Sequence, residues 1–121
     1  MTRVVLIEDE PWLAELFAQE LQAAGMDVAI AMHATAAMAR IDEQVPDCIV
    51  ADMLLTGSTV LTLLHELQSH PDTKSIPIVL CTNTADQLNE ASLRSYGVRR
   101  VLDKTTIEPL DIAAAVKAVT A

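Results

Sequence analysis

The stretch that decides the fold is VVLIED at residues 4–9, in which four consecutive apolar residues lead directly into two carboxylates. A short, uninterrupted apolar run is typical of a strand that is covered on both faces of a parallel sheet. Core packing gives no reason for two negative charges at the end of such a strand. Glu8 and Asp9 therefore predict a charged site at the point where the first strand, residues 3–7, leaves the core.

Four further apolar runs, at residues 28–32, 48–51, 78–81 and 100–102, alternate with segments of helical pattern. The first predicted helix begins after Pro11 and stops at Gly25. The other four cover residues 35–43, 58–69, 85–96 and 109–119. Such alternation implies right-handed crossovers between parallel strands. We predict the α/β class: a flavodoxin-like, doubly wound, five-stranded parallel sheet of order 2-1-3-4-5 with five helices in three layers, α/β/α.

Length and composition limit the classes of function. A chain of 121 residues predicts one domain over residues 1–121. The net charge of −9 and the scarcity of aromatic residues argue against nucleic-acid binding, because phosphates are repelled and bases find few stacking partners. No apolar stretch approaches the roughly 20 residues that span a membrane, and no signal peptide is expected. Cys48 and Cys81 lack a CxxC spacing and predict buried thiols in a reducing cytoplasm.

Polar residues follow four of the predicted strands, and the strand order brings them to one edge of the sheet. The first strand delivers Glu8 and Asp9, the third delivers Asp52, the fourth Thr82 and the fifth Lys104. Ligands of doubly wound sheets bind at the carboxyl ends of the strands, at the switch point between the first and third. We therefore expect these five side chains to form one site.

The chemistry of this set points to a metal ion and a phosphoryl group. Three carboxylates at close range repel each other unless a cation lies between them, and oxygen ligands with places left for water favour Mg²⁺, with Mn²⁺ as a substitute. Lys104 can pair with a phosphoryl oxygen, and the Thr82 hydroxyl can donate to another. The set predicts phosphoryl transfer onto Asp52, which stands alone at its strand end.

Four sequence motifs carry a resemblance to a known family. They are LIEDE at residues 6–10, DCIVADM at 47–53, IPIVLCT at 76–82 and DK at 103–104. Each motif is weak alone, but all four occur in order at strand ends. Over essentially its whole length the chain resembles the receiver domain of bacterial two-component response regulators, in particular the single-domain regulators of the chemotaxis type.

The resemblance implies a role for each matching position. Glu8, Asp9 and Asp52 would bind Mg²⁺ together with the backbone carbonyl of Leu54. Asp52 would be the phosphoacceptor, with Lys104 and Thr82 as its phosphoryl partners. The donor would be a phosphohistidine on a sensor histidine kinase or a histidine phosphotransfer protein, and the output would be contact with a downstream target protein. Such a module is not an enzyme beyond its self-catalysed phosphoryl transfer and autodephosphorylation.

Four features depart from the family pattern. The segment after Asp52, residues 53–57, lacks the Pro four positions on and the Asp/Asn-Gly turn that usually opens the third helix. Thr105 follows Lys104 where the family usually has Pro, and a cis peptide before Thr costs about 2.5–4 kcal/mol. The peptide is therefore either trans or held in a strained form by its surroundings. Val101 stands where many receivers have a Tyr or Phe that moves inward on activation, so the output must use another route. Asn83 follows Thr82 where a small residue is common, and could narrow access to the phosphoryl group.

A second function stays open: a pseudo-receiver, which keeps the fold as an adaptor that works without phosphorylation. A cofactor-binding flavodoxin is disfavoured, because the first βα loop offers acids where a flavin phosphate needs hydrogen-bond donors. An independent phosphatase of the aspartate-nucleophile type is disfavoured too, since residues 52–54 lack the second acid of a DxDxT pattern.

Other polar and aromatic residues have simpler interpretations. Trp12 on the first helix is expected to serve packing, either in the core or partly exposed, rather than binding. The three histidines share no metal-ligand spacing and are taken as solvent-facing or incidental: His33, His65 and His70. Three arginines form a local basic cluster, either balanced by Glu90 and Asp103 or used for docking; they are Arg94, Arg99 and Arg100.

Overall fold

A computed structural model of the chain describes residues 1–52, 54–55, 58–83 and 89–121. The first half contains β1 (Arg3–Ile7), α1 (Pro11–Ala23), β2 (Asp27–Ala31), α2 (Ala34–Glu43) and β3 (Cys48–Asp52). The second half contains β4 (Leu54–Leu55), β5 (Ser58–Thr59), α3 (Val60–Gln68), β6 (Ile78–Thr82), α4 (Glu90–Arg94), β7 (Val98–Asp103) and α5 (Pro109–Thr120).

Five strands form the main sheet in the spatial order β2-β1-β3-β6-β7, and every neighbouring pair is parallel. Counted along the chain without the short β4–β5 pair, this is the order 2-1-3-4-5. The predicted doubly wound α/β fold is therefore confirmed. The chain reverses its winding between β1 and β3, so the loops that follow these two strands face a common crevice at the carboxyl edge.

Alternate residues of the central strands point to two separate cores, one on each face of the sheet. On β1, Val5 and Ile7 pack with residues of α2, α3 and α4, whereas Val4 and Leu6 pack with residues of α1 and α5. All four side chains are buried. Burial on both faces explains why the strands read as continuous apolar runs rather than as an apolar–polar alternation.

The helix limits follow from local sequence. Pro11 occupies the first turn of α1, where its missing N–H and fixed φ are tolerated. Gly97 follows the α4 region with φ of 89°, a conformation that glycine adopts without steric cost. The space there is also tight, because a Cβ at Gly97 would lie 3.2 Å from the carbonyl oxygen of Ile76.

Several predicted boundaries were wrong. The third helix was expected from residue 58, but Ser58 and Thr59 pair with Leu55 and Leu54 in a short antiparallel ladder, and the helix begins at Val60. The second strand begins and ends one residue earlier than predicted, the third and fourth each extend one residue further to a polar residue, and the fifth helix extends one residue beyond 119.

The last strand and the fourth helix also differ from the prediction. β7 begins at Val98 rather than at Arg100, and its register with β6 skips Arg99, which makes a β-bulge on this edge strand. The fourth helix is described over Glu90–Arg94, and Asn89 caps it by accepting a hydrogen bond from the Ser92 N–H. Residues 85–88 of the predicted helix lie outside the described part of the chain.

Candidate functional site

The parallel register of β1 and β3 places an acidic pair next to a third acid. Ile7 lies beside Ala51, so the residues that follow them, Glu8 and Asp52, leave the sheet side by side. Carboxylate oxygens of Glu8, Asp9 and Asp52 lie within 4.8 Å of one another. The predicted gathering of the three acids at the β1–β3 switch point is thus present in the structure, and the set has the oxygen-only character that a hard divalent cation requires.

Burial makes the negative charge of this cluster costly. Glu8 is 2% exposed, which is unusual for a carboxylate. Burial raises the pKa of Glu8, the neighbouring Asp52 and Asp9 raise it further, and Lys104 acts in the opposite direction. The ionised form of Glu8 therefore depends on a positive charge close by.

Lys104 supplies such a charge. Its Nζ donates to Glu8 Oε1 at 2.5 Å and to Asp52 Oδ2 at 2.8 Å, and its side chain is 11% exposed. Burial alone would lower the pKa of Lys104, but its hydrogen bonds to Asp52 and Glu8 outweigh that effect and raise the pKa. The lysine is thus protonated at neutral pH and joins the two acids that come from different strands.

Thr82 enters the same site from β6. The residue is 2% exposed. Thr82 pairs with Asp103 on the neighbouring strand β7, and Lys104 is the residue directly after Asp103. The backbone N–H of Lys104 donates to the carbonyl oxygen of Thr82 at 3.0 Å. This bond continues the β6–β7 ladder beyond the last pair and fixes the backbone of the lysine against that of the threonine.

The loop after β7 is closed by the side chain of Asp103. Asp103 Oδ1 accepts hydrogen bonds from the Thr105 N–H at 2.9 Å and from Thr105 Oγ1 at 2.6 Å. The peptide between Lys104 and Thr105 is trans, since no cis peptide occurs among the residues that the structure describes. The question that the sequence left open is therefore settled in favour of the trans form.

The floor of the site is apolar and closely packed. A cavity of only about 10 Å³ lies below the carboxylates, and the residues that line it include Phe17, Val50 and Cys81. This space is near the lower limit for one water molecule. Burial raises the pKa of the Cys81 thiol to about 12, so the thiol stays neutral at physiological pH and is not a nucleophile there. A ligand of any size must therefore approach from the carboxyl edge of the sheet.

Leu54, the remaining predicted ligand, begins β4 two residues after Asp52. Its assignment as a backbone ligand stays a prediction. Asn83, which was expected to narrow access, is exposed next to Thr82. Val101 is half-buried and packs against the core cluster on the α2–α4 face.

Three side chains have contacts that the sequence did not reveal. His33 is exposed, as expected, but it also caps α2, because its Nδ1 accepts a hydrogen bond from the Ala36 N–H. His65 packs edge-on against Tyr96, and the two polar atoms lie 3.2 Å apart. Trp12 is 66% exposed rather than packed, with its indole N–H bonded to Glu10 at 2.9 Å. Histidine has no strong helix-cap preference, so composition gave no signal for the first contact.

The basic cluster of Arg94, Arg99 and Arg100 is exposed. Among the described residues, the salt bridges of the chain do not include these three arginines, although Glu90 lies at the same shallow depression. In the part of the chain that the structure describes, these arginines thus form no direct ion pair with Glu90 or Asp103, and the choice between charge balance and docking stays a prediction.

Comparison with known proteins identifies the family of this doubly wound α/β chain. A profile described as the response regulator receiver domain matches residues 4–117. The chain therefore belongs to the response regulator receiver domain family. Receiver domains are signalling modules that bind Mg²⁺ at an acidic site, and response regulators interact with kinases and downstream targets.

Individual relatives are similar over the whole chain. The phosphate regulon transcriptional regulatory protein PhoB of Rhizobium meliloti is 27% identical over 98% of this chain and 52% of its own length. The transcriptional regulatory protein BaeR of Escherichia coli is 28% identical over 97% of this chain and 47% of its own length. The chain thus spans about half the length of these curated relatives.

Solved structures give the same result for the fold. A crystal structure assigned to the response regulators of Chloroflexus aurantiacus has a TM-score of 0.83 and 28% identity, over 98% of this chain and 97% of that chain. The chemotaxis response regulator CheY4 of Vibrio cholerae has a TM-score of 0.88 at 20% identity, over 98% of each chain. Among the described residues, no helix has the length and apolar character needed to cross a bilayer.

Proposed function

We propose that this chain is a phosphoacceptor signalling module in which Asp52 takes a phosphoryl group from a phosphohistidine in a Mg²⁺-dependent reaction. The observation that carries the proposal is the shared contact of Lys104, whose Nζ lies 2.5 Å from Glu8 Oε1 and 2.8 Å from Asp52 Oδ2. An ammonium group at this place is positioned to pair with a phosphoryl oxygen once Asp52 carries one.

The proposed step is a displacement at phosphorus. A carboxylate oxygen of Asp52 attacks the phosphorus atom, an O–P bond forms, and the N–P bond to the donor imidazole breaks. The electron pair of that bond stays on the imidazole nitrogen, which takes up a proton from the medium. Asp52 suits the role of nucleophile because its side chain, 16% exposed, can be reached from solvent, whereas that of Glu8, 2% exposed, cannot.

The donor set fits Mg²⁺, or Mn²⁺ in its place. Glu8, Asp9 and Asp52 would hold the ion, with the carbonyl of Leu54 as a further ligand. When bound, the ion neutralises negative charge on the carboxylates and on the incoming phosphoryl oxygens. The buried position of Glu8 supports this assignment, because a buried carboxylate requires compensation by cations.

Lys104 and Thr82 would stabilise the phosphorylated state. Lys104 provides a point charge for one phosphoryl oxygen, and the Thr82 hydroxyl donates to another. The backbone bond between these two residues, 3.0 Å from the Lys104 nitrogen to the Thr82 oxygen, supports a concerted response of β6 and β7 to phosphorylation.

Partners and location follow from this role. We place the donor phosphohistidine on a sensor histidine kinase or a histidine phosphotransfer protein, and the output on a downstream target protein. Residues 1–121 act as one receiver domain, without direct contact to nucleic acid or membrane, and the two buried thiols suit the cytoplasm. Although the relatives PhoB and BaeR are named as transcriptional regulators, the net charge of −9 disfavours DNA contact by this domain itself.

A second candidate is the pseudo-receiver, an adaptor that works without phosphorylation. One observation favours it: Lys104 already bridges Glu8 and Asp52, so the acids are partly compensated without a metal ion. In that case, Mg²⁺ and a phosphoryl analogue would leave the site unchanged.

Fluorescence of Trp12 separates the two candidates, because its indole contacts Glu10, directly after the acidic pair. We expect beryllofluoride with Mg²⁺ to change the emission of the wild-type protein and of D42N, which removes an exposed acid of α2. D52N should show no beryllofluoride response. An unresponsive wild-type protein, or an equal response in D52N, would favour the pseudo-receiver.

A further inference from the structure

The contacts around Lys104 form a closed local structure. On one side, the Lys104 N–H donates to the Thr82 carbonyl at 3.0 Å. On the other side, Asp103 Oδ1 accepts from the N–H of Thr105 at 2.9 Å and from its hydroxyl at 2.6 Å. The Asp103 carbonyl also accepts from the N–H of Ile107 at 3.0 Å, so the turn is held from both sides of the lysine.

The lysine requires such support because its side chain is flexible. Fixing a lysine side chain costs conformational entropy, and one ammonium must here meet two acids on different strands. A backbone that moved by about 1 Å would break one of the two contacts, since both are already at hydrogen-bond distance. Precise placement of the Lys104 Cα is therefore a condition of the shared salt bridge.

We propose that Asp103 and Thr105 act as a positioning clamp that holds the Lys104 backbone in the geometry needed for its contacts with Glu8 and Asp52. The side chains of Asp103 and Thr105 thus restrain the loop that carries Lys104. A proline at position 105 would fix φ through its ring and would have no N–H to donate. Thr105 instead keeps its N–H and adds a hydroxyl, and both donate to the same carboxylate oxygen.

The short sequence separation makes the clamp effective despite its exposure. Asp103 and Thr105 are two residues apart, so closing the contact orders little additional chain. Aspartate side chains commonly bond the backbone N–H two residues further along, and this geometry defines a turn. The threonine hydroxyl adds a second donor to the same Asp103 oxygen and so restrains the Thr105 side chain as well as its backbone.

The neighbouring threonine offers a matched control. Thr106 Oγ1 lies 3.4 Å from the Asp103 carbonyl oxygen, so its hydroxyl contacts the main chain rather than the carboxylate. D103A removes both bonds of the clamp, T105V removes the hydroxyl bond and keeps the backbone N–H bond, and T105S retains both. T106V removes a neighbouring hydroxyl from the same loop. All four variants keep every residue that is proposed to touch the metal ion or the phosphoryl group.

This inference rests on the proposed function for its kinetic readout. With acetyl phosphate and saturating Mg²⁺, we expect T105V to be phosphorylated roughly three- to tenfold more slowly than the wild type, the range that loss of one hydrogen bond produces. D103A, which loses both bonds, should be slowed at least as much. T105S should retain most of the rate, T106V should be unchanged, and Mg²⁺ affinity read from Trp12 should stay within about twofold. Equal rates in T105V and T106V, or a parallel fall in Mg²⁺ affinity, would overturn the clamp.

A second measurement needs no phosphoryl transfer. Nitrogen-15 NMR of the lysine ammonium groups reports their order directly, and assignment is simple because the only lysines are Lys74, Lys104 and Lys117. We expect the Lys104 signal to broaden or move in T105V and D103A and to stay in place in T106V. If the wild type is never phosphorylated, the proposed function fails, while this spectrum still decides the clamp; an unchanged Lys104 signal in T105V refutes it.

Discussion

At the residue scale, the charge balance of the site depends on one lysine. Lys104 contacts two acids, and its side chain is 11% exposed, so solvent screens these contacts only partly. The sequence predicted that the lysine and the acids would meet. It did not predict that one ammonium would serve both Glu8 and Asp52 at once, because side-chain geometry is not visible in a strand pattern.

Replacing Lys104 by Met should expose this dependence. Without the ammonium, Glu8 and Asp52 stay close together and lose its positive charge, so we expect the free energy of unfolding to fall by about 1–3 kcal/mol in the absence of divalent cations. Mg²⁺ should restore part of the loss. Urea unfolding with and without Mg²⁺ measures both effects, and K117M, which removes an exposed lysine of α5, is the control. Equal urea midpoints for K104M and K117M without Mg²⁺ would show that Lys104 does not balance the charge of Glu8 and Asp52.

The pKa of Asp103 reports on the loop that carries Lys104. The hydroxyl and the N–H of Thr105 hold this pKa below its ordinary value of 3.8. Because the folded pKa is the lower one, these bonds stabilise the fold above pH 3.8 and lose effect as the pH falls through the folded value. T105V removes the hydroxyl bond and keeps the N–H bond, so we expect it to raise the pKa of Asp103 in a carbon-13 NMR titration, and T106V to leave it unchanged. A pKa of Asp103 that T105V does not alter would be inconsistent with the hydroxyl bond.

At the element scale, helix α2 depends on a cap that the sequence did not suggest. His33 Nδ1 accepts from the Ala36 N–H at 3.1 Å and satisfies one of the free donors of the first turn. H33A should lower the free energy of unfolding by about 1 kcal/mol, whereas H33N, a strong cap residue, should preserve it. Thermal unfolding of the two variants tests this, and identical stabilities would show that the cap contributes nothing.

Two glycines have a positive φ, and comparing their alanine variants distinguishes backbone strain from steric contact. Gly25 and Gly97 have φ of 87° and 89°, but a Cβ at Gly25 meets nothing within 4 Å, whereas one at Gly97 would lie 3.2 Å from the Ile76 oxygen. We expect G25A to cost about 1 kcal/mol, from strain alone, and G97A to cost more. Urea unfolding ranks the two variants, and the reverse order would show that the turn at Gly97 relaxes freely.

At the scale of the whole molecule, the order of the sheet could be predicted from the alternation of strands and helices. The meeting of the acids could be predicted from that order and from which strands end in polar residues. The same patterns could not place Ser58 and Thr59, since a short antiparallel pair with Leu54 and Leu55 leaves no periodic signal. They also missed the bulge at Arg99, because a register shift depends on the partner strand rather than on local sequence.

The contacts of Asp103 with Thr105 and the exposure of Trp12 could not be predicted either, because both depend on tertiary structure. The Asp103–Thr105 bonds depend on the path of one turn, and sequence alone allowed either a trans peptide or a strained cis peptide there. The exposure of Trp12 depends on how α1 sits on the sheet: its buried face carries Phe17 and Leu21, which leaves the indole on the solvent side. Apolar character alone does not distinguish these faces at the first turn of a helix.

The central claim is that Asp52 accepts a phosphoryl group with the help of Mg²⁺, and intact mass measurement tests it most directly. The protein is incubated with acetyl phosphate, with Mg²⁺ or with a chelator, and its mass is compared with those of D52N and D42N treated in the same way. We predict that the wild type and D42N gain the mass of one phosphoryl group only with Mg²⁺, and that D52N gains none. A wild type without the adduct, or a D52N variant that carries it, would contradict the account.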